Sequence, residues 1–385
     1  MNISKIHNCY GCGLCATICP KKIIEIGLNK DGFYEPKIIN AESCTDCGLC
    51  TDVCAYLHDE LCLHNPKINS YAAWSRDAVV RNKCSSGGVG FELGRMLINE
   101  GYKVCGVRYN AELARAEHYI AQTIEELIPS IGSKYIQSYT IDGFEAINIK
   151  EKYLVIGTPC QIDSFRRYIE KFKMEDNFVL MDFYCHGVPS MLLWKKYIKD
   201  VEKTTGKITY ASWRNKLTGW HDSWAMFIDG EKKGKKVNWH DSYNLLLREK
   251  KCVYNSRLSQ GDAFYRLFLS DACLGKACYE NCKYKYDKSS ADIRIGDLWG
   301  KTYKENEDGV SAAVSFTKKG NELLCKSDCN LIEHPFNIVA EGQMKSSPLI
   351  SRNRKFILFL LRTKIAFTVI LRYNTFFKKV YNKIK

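Results

Sequence analysis

Residues Cys9–Pro20 read Cys-Tyr-Gly-Cys-Gly-Leu-Cys-Ala-Thr-Ile-Cys-Pro, and residues Cys44–Ala55 read Cys-Thr-Asp-Cys-Gly-Leu-Cys-Thr-Asp-Val-Cys-Ala. Both halves are C-x2-C-x2-C-x3-C. Three cysteines at this interval let one tight loop wrap three corners of a cubane, and the fourth is carried by a helix to the neighbouring cluster. The spacing therefore assigns Cys9, Cys12, Cys15 and Cys54 to one [4Fe–4S] cluster, and Cys44, Cys47, Cys50 and Cys19 to another. Zinc modules use two separated C-x2-C pairs, which four cysteines in one run do not provide.

Between the halves, Ile23–Ile26, Lys30-Asp31-Gly32 and Tyr34–Ile39 read as strand, turn and strand. The first segment, residues 1–62, is thus an α+β ferredoxin-like N-terminal domain of the bacterial two-cluster type. Residues 63–78 read as a linker. Residues 79–345 alternate apolar runs (Tyr102–Val107, Lys152–Ile156, Phe178–Phe183) with helical patterns (Gly90–Asn99, Gln161–Phe172), which predicts a larger α/β domain with a mixed sheet. Residues 346–385 form a basic apolar tail, expected to be an amphipathic helix. The chain has 385 residues, is 45% hydrophobic and 26% charged, and so has the composition of an ordinary globular protein.

A second cysteine group, Cys273, Cys278 and Cys282, is spaced C-x4-C-x3-C, and thiolates this close in a reducing compartment commonly share a metal. No His follows in zinc-finger register, and the C-x3-C-x2-C of radical enzymes is absent from the sequence. A third [4Fe–4S] cluster here needs a fourth ligand, for which Cys160 and Cys185 are the candidates. Several loops resemble ligand-binding edges. Lys83-Cys-Ser85-Ser86-Gly87-Gly88 precedes a helix, so that Lys83 and backbone N–H groups can meet a phosphate. Gly132–Ser138 is a second polar loop. Gly157-Thr158-Pro159-Cys160 and Cys185-His186-Gly187 each follow a buried strand, where α/β sheets bind ligands. Cys160 and His186 are the catalytic candidates, with no role fixed for either. Neither GxGxxG nor a Walker motif occurs, so nucleotide hydrolysis is not supported.

Together these pieces resemble the coenzyme F420 hydrogenase/dehydrogenase β-subunit family. The resemblance reaches about residue 320, through the double cysteine motif, KCSSGG (83–88), GSKYIQS (132–138), IGTPCQ (156–161) and CHGVPS (185–190). It continues through WRNKLTGW (213–220), CLGKACYENC (273–282) and ADIRIGDLWG (291–300). It implies FAD beside a [4Fe–4S] cluster in the main domain, wired to a partner by the N-terminal clusters. Ser85, Ser86, Gly87, Gly88, Ser133, Lys134, Tyr135 and Ser138 would border the FAD, with Thr158 at the same sheet edge. Cys273, Cys278 and Cys282 would hold the cluster. Family members often have C-x2-C where this chain has the C-x3-C of Cys278–Cys282. Coenzyme F420 is one candidate substrate, and another small metabolite is equally compatible.

The net charge of +14 is concentrated in the tail, where Arg352–Lys385 holds ten Lys or Arg and no Asp or Glu. The rest of the chain carries too little excess charge for a nucleic-acid footprint. No uncharged run in the tail is long enough to cross a bilayer. Two placements fit it: a helix lying on an anionic membrane surface, or a terminal helix packed on the body or on a partner. Nineteen cysteines and an N-terminus without a secretory pattern predict a cytoplasmic location. The function expected is a flavin- and iron–sulfur-dependent oxidoreductase acting on a small molecule with an electron-transfer protein or redox subunit as partner. The alternatives are a non-catalytic electron-transfer subunit and a membrane-surface scaffold that uses its clusters structurally.

Overall fold

The computed structural model describes residues 2–63, 67, 69–216, 219–224, 226–231, 254–255 and 262–384. Of the 213–220 motif, residues 217 and 218 lie outside these, as do 64–66 and 68 of the 63–78 segment.

Phe178–Phe183 is apolar at all but one position and is buried along nearly its whole length, as a strand covered on both faces must be. It is β8, near the middle of a nine-stranded mixed sheet with the order β14-β3-β13-β12-β8-β7-β4-β5-β6. The members are β3 (Asn69–Ser75), β4 (Lys103–Asn110), β5 (Arg115–Ala121), β6 (Ser138–Tyr139), β7 (Tyr153–Ile156), β8, β12 (Ile293–Asp297), β13 (Ser311–Ser315) and β14 (Cys329–Glu333). Parallel pairing of β4 with β7, β7 with β8 and β8 with β12 sets one direction. β3 runs the same way, being antiparallel to β13, which is antiparallel to β12. The loops after β3, β7, β8 and β12 therefore emerge along one edge, and the 132–138 loop enters β6 at that same edge. A hairpin of β1 (Ile24–Leu28) and β2 (Tyr34–Ile38) forms a separate small sheet at the N-terminus. β9 (Ile208–Ser212), β10 (Phe227–Gly230) and β11 (Tyr254–Asn255) form a third.

One expectation changes. Asn69–Ser75, read as part of a linker, is β3 and lies inside the large sheet between β14 and β13. Its Asn-Ser-Tyr-Ala-Ala-Trp-Ser carries little β propensity. The small side chains suit a crowded position, where Ser75 N donates to Gly87 O at 2.7 Å and a Cβ on Gly87 would meet Ala73 O at 2.2 Å.

The tail is two helices, Arg354–Arg362 and Phe367–Ile384. Ile357, Leu358, Leu360, Leu361, Phe367, Ile370 and Leu371 are buried in one core with Trp194, Tyr197, Phe264 and Phe268. Among the described residues, no helix is long and apolar enough to cross a membrane.

Candidate functional site: three thiol-lined cavities and a cationic loop edge

Each N-terminal half-motif turns through a glycine in the left-handed region, Gly13 at φ 82° and Gly48 at φ 79°, directly before a short helix bearing the third cysteine. Cys19, Cys44, Cys47 and Cys50 ring a space of about 400 Å³. Cys9, Cys12, Cys15 and Cys54 ring another of about 360 Å³. Both sets combine cysteines from the two halves, as the spacing predicts. Among the described residues, no three His, Cys, Asp or Glu side chains converge closely enough for a single metal ion. Rings of spaced thiols suit a cubane instead. Burial pushes the Cys9 and Cys54 thiols up to about 12, so only a cation held among them keeps such sulfurs as thiolates.

A third cleft, about 680 Å³, opens at the carboxyl ends of β7 and β8. Cys160 follows β7, Cys185 follows β8, and Cys278 and Cys282 come from the segment lying across them; all four line it. The spacing asked for one of Cys160 and Cys185, and the fold brings both. Cys273 lies elsewhere, fully buried in the hydrophobic core, with its carbonyl accepting from Ser190 N at 2.9 Å. Burial raises the thiols of Cys160 and Cys185, and pushes Cys278 up to about 12. Lys285 partly counters this at Cys185; its ammonium donates to Cys185 O at 2.6 Å and His186 O at 3.0 Å. Thr158 Oγ1 is 3.2 Å from Cys160 Sγ, and Thr158 and Ser138 both line this cleft. His186 Nε2 bonds Asp271 Oδ1 at 2.7 Å, and its ring packs on Phe268.

Cys9 and Tyr10 line both this cleft and the 360 Å³ cavity. Polar contacts fix that junction. Gln137 accepts from Tyr34 N at 2.9 Å and donates to Tyr10 O at 3.1 Å. Thr140 donates to Cys12 O at 2.9 Å, and Tyr10 OH donates to Asn281 O. Ser164 Oγ lies 3.3 Å from Cys12 Sγ and accepts from Ala55 N at 3.1 Å. Behind the cleft, Arg294 and Asp182 form a fully buried bidentate pair with both contacts at 2.7 Å. Arg294 also donates to the carbonyls of Tyr284 and Tyr286, anchoring the chain that follows Cys282.

Farther along the same edge, Ser133 N donates to Ser85 Oγ at 3.0 Å, joining the 83–88 and 132–138 loops. Tyr135 stacks on Trp224 with centroids 4.9 Å apart. Lys134 donates to the carbonyls of Pro129, Ser130 and Ile131. Burial lowers Lys134 to about 7 and Lys83 to about 8. Lys83 Nζ is buried with no hydrogen-bond partner among the described residues. Residues given no role by sequence reasoning complete this region. Arg214 forms a bidentate pair with Asp297 at 2.9 and 3.0 Å and donates to Ser85 O at 3.0 Å. Trp220 Nε1 donates to Asp297 at 2.8 Å, and the Trp220 ring stacks on Trp299 at 4.8 Å. Lys216 donates to Arg81 O, Ser86 O and Asp308 O, each at 2.5 Å. Their signal was present in WRNKLTGW and DLWG, where Trp and Arg recur beside glycine and an acid.

The thiol-lined cavities fit iron–sulfur clusters, and the family matches agree. Residues 150–333 match the family described as the C terminus of the coenzyme F420 hydrogenase/dehydrogenase beta subunit, and residues 8–57 match the 4Fe-4S dicluster domain. The chain thus carries the C-terminal domain of the coenzyme F420 hydrogenase/dehydrogenase β subunit, with a 4Fe-4S dicluster domain near its N-terminus. No curated protein matches it. It is similar to a chain in the F420-reducing [NiFe] hydrogenase complex from Methanosarcina barkeri, at 17% identity, covering 77% of this chain and 88% of that one, with a TM-score of 0.44.

Proposed function

We propose that this protein is an FAD- and [4Fe–4S]-dependent oxidoreductase that exchanges electrons between a small-molecule substrate and a protein carrier. The observation that carries the reading is the junction at Cys9 and Tyr10, where the four-thiol cleft and the first N-terminal cavity share a wall. Cys160, Cys185, Cys278 and Cys282 would hold the third cluster, with Lys285 offsetting its negative charge. The second N-terminal cavity, whose Cys47 is exposed, is the end nearest an external partner. The dinucleotide would be held by the joined 83–88 and 132–138 loops, since the buried Lys83 ammonium has no hydrogen-bond partner among the described residues and a diphosphate would supply one. A bound flavin would exchange electrons in pairs with a substrate and singly with cubane clusters.

Anaerobic purification with iron, acid-labile sulfide and flavin quantitation tests this directly. Three [4Fe–4S] clusters and one dithionite-bleachable flavin per chain are expected. Iron without flavin refutes the flavoprotein reading and leaves a relay protein. Screening coenzyme F420, NAD(P)H and reduced ferredoxin as donors then separates a catalyst from a relay, which shows no turnover until its partner is added.

A further inference from the structure

We propose that the outer face of the C-terminal helix pair docks the protein on an anionic lipid bilayer. The inner faces of Arg354–Arg362 and Phe367–Ile384 are spent on the body's core, yet the apolar content of these helices does not end there. Of the fourteen exposed large hydrophobic side chains among the described residues, seven lie between Leu349 and Phe376. Phe376 is 66% exposed, Phe359 50%, Val369 49% and Phe356 44%. The rings form a strip across both helices: Phe359 contacts Phe356 at 6.2 Å, Phe356 contacts Tyr373 at 4.8 Å, and Tyr373 contacts Phe377 at 6.3 Å. Isolated exposed hydrophobics need no explanation, but a concentrated aromatic strip does.

Charge selects the occupant. Lys355, Arg362, Lys364, Arg372 and Lys379 are exposed around the strip, and the whole 352–385 segment contains no carboxylate side chain. Asp31 Oδ1, 3.8 Å from Arg362, is the nearest acid recorded for these cations among the described residues. A second copy of this face would bring cations against cations. Aromatic rings interleaved with cations suit the headgroup boundary of an anionic leaflet, where rings enter the acyl margin and ammonium groups meet phosphate.

The test uses the full-length protein purified anaerobically and co-sedimented with vesicles of phosphatidylcholine alone or mixed with phosphatidylglycerol. Expected is binding to the mixed vesicles alone, falling by about tenfold or more at about 0.5 M salt. Replacing Phe356→Ser, Phe359→Ser and Phe376→Ser together should lose at least about tenfold in binding at unchanged iron content. Protein that stays in the supernatant with both vesicle types overturns the proposal. So does a wild-type dimer in light scattering that the triple variant abolishes, since that assigns the face to a second copy. Should the triple variant fail to fold, the lipid and salt dependence of the wild type decides alone.

Discussion

Cys273 and Cys278 stand five residues apart, and only the second faces the cleft. Cys273→Ala should therefore keep the full iron content and lose about 1 kcal/mol of stability through a small cavity. If the cleft holds the proposed third cluster, Cys160→Ala, Cys185→Ala, Cys278→Ala and Cys282→Ala should each lose about one third of the iron, the share of one cluster in three. Iron lost from Cys273→Ala and retained in Cys185→Ala would reverse the ligand assignment. His118 poses a separate question of single-residue chemistry. It is fully buried on β5, its Nε2 is 3.1 Å from Ile156 O, and burial lowers it to about 4. Above pH 6.5 both folded and unfolded forms are neutral and the fold keeps its full stability. As pH falls from 6.5 to about 4 the unfolded chain takes up a proton that the folded one refuses. The loss over that window is about 3 kcal/mol. His118→Gln should flatten the pH dependence of the unfolding midpoint between pH 7 and about 4; an equally steep decline in the variant places the acid sensitivity elsewhere.

The two cysteine half-motifs are equivalent as sequence and unequal as elements of the fold. A Cβ on Gly13 would lie 2.2 Å from Thr140 Oγ1, whereas one on Gly48 meets nothing nearer than 3.9 Å. Both glycines have positive φ, so alanine costs each helix start about 1 kcal/mol. At Gly13 it also wedges the half-motif off the body, adding about 1–3 kcal/mol. Gly13→Ala should lower the anaerobic thermal midpoint well beyond Gly48→Ala; equal shifts would mean that the first half-motif does not seat against Thr140. This inequality also marks the limit of what the chain reveals on inspection. The grouping of the eight N-terminal thiols into two sets of four was legible because covalent spacing alone sets it. Strand β8 was legible because burial on both faces demands an uninterrupted apolar run. β3 was not, since its Ala and Ser side chains answer to crowding by neighbours more than two hundred residues away. Nor was the joint recruitment of Cys160 and Cys185, which depends on β7 and β8 being parallel neighbours. Arg214 and Asp297 likewise meet only because the segment after β9 folds back over the end of β12.

At the scale of the whole molecule, the cavity ringed by Cys9, Cys12, Cys15 and Cys54 touches the four-thiol cleft through Cys9 and Tyr10, and on its other side Cys50 of the remaining cavity is near enough to add to burial in raising the thiols of Cys15 and Cys54. The remaining cavity has its own lining, with Cys47 at the surface. A linear arrangement makes the end members separable in a way that a compact cluster of sites would not. Under the proposed function Cys47 is the outermost ligand, and Cys47→Ala should then leave flavin content and reduction of the inner clusters by a small-molecule donor near wild-type values. Transfer to a protein carrier such as ferredoxin should fall by at least about tenfold, because a protein cannot approach the inner cavities through the polar contacts that seat the N-terminal domain on the body. Cys12→Ala should act differently, since Cys12 lies against Ser164 at the junction, and its loss interrupts the series before the outer site. In that variant only the third cluster should be reduced rapidly by the small-molecule donor, a difference visible in rapid-freeze paramagnetic resonance. The contrast between the two variants holds for either direction of flow, as breaking a series blocks both. Wild-type ferredoxin turnover by Cys47→Ala protein shown to lack its outer cluster would place the partner against the main body and make the exposed cavity a side branch.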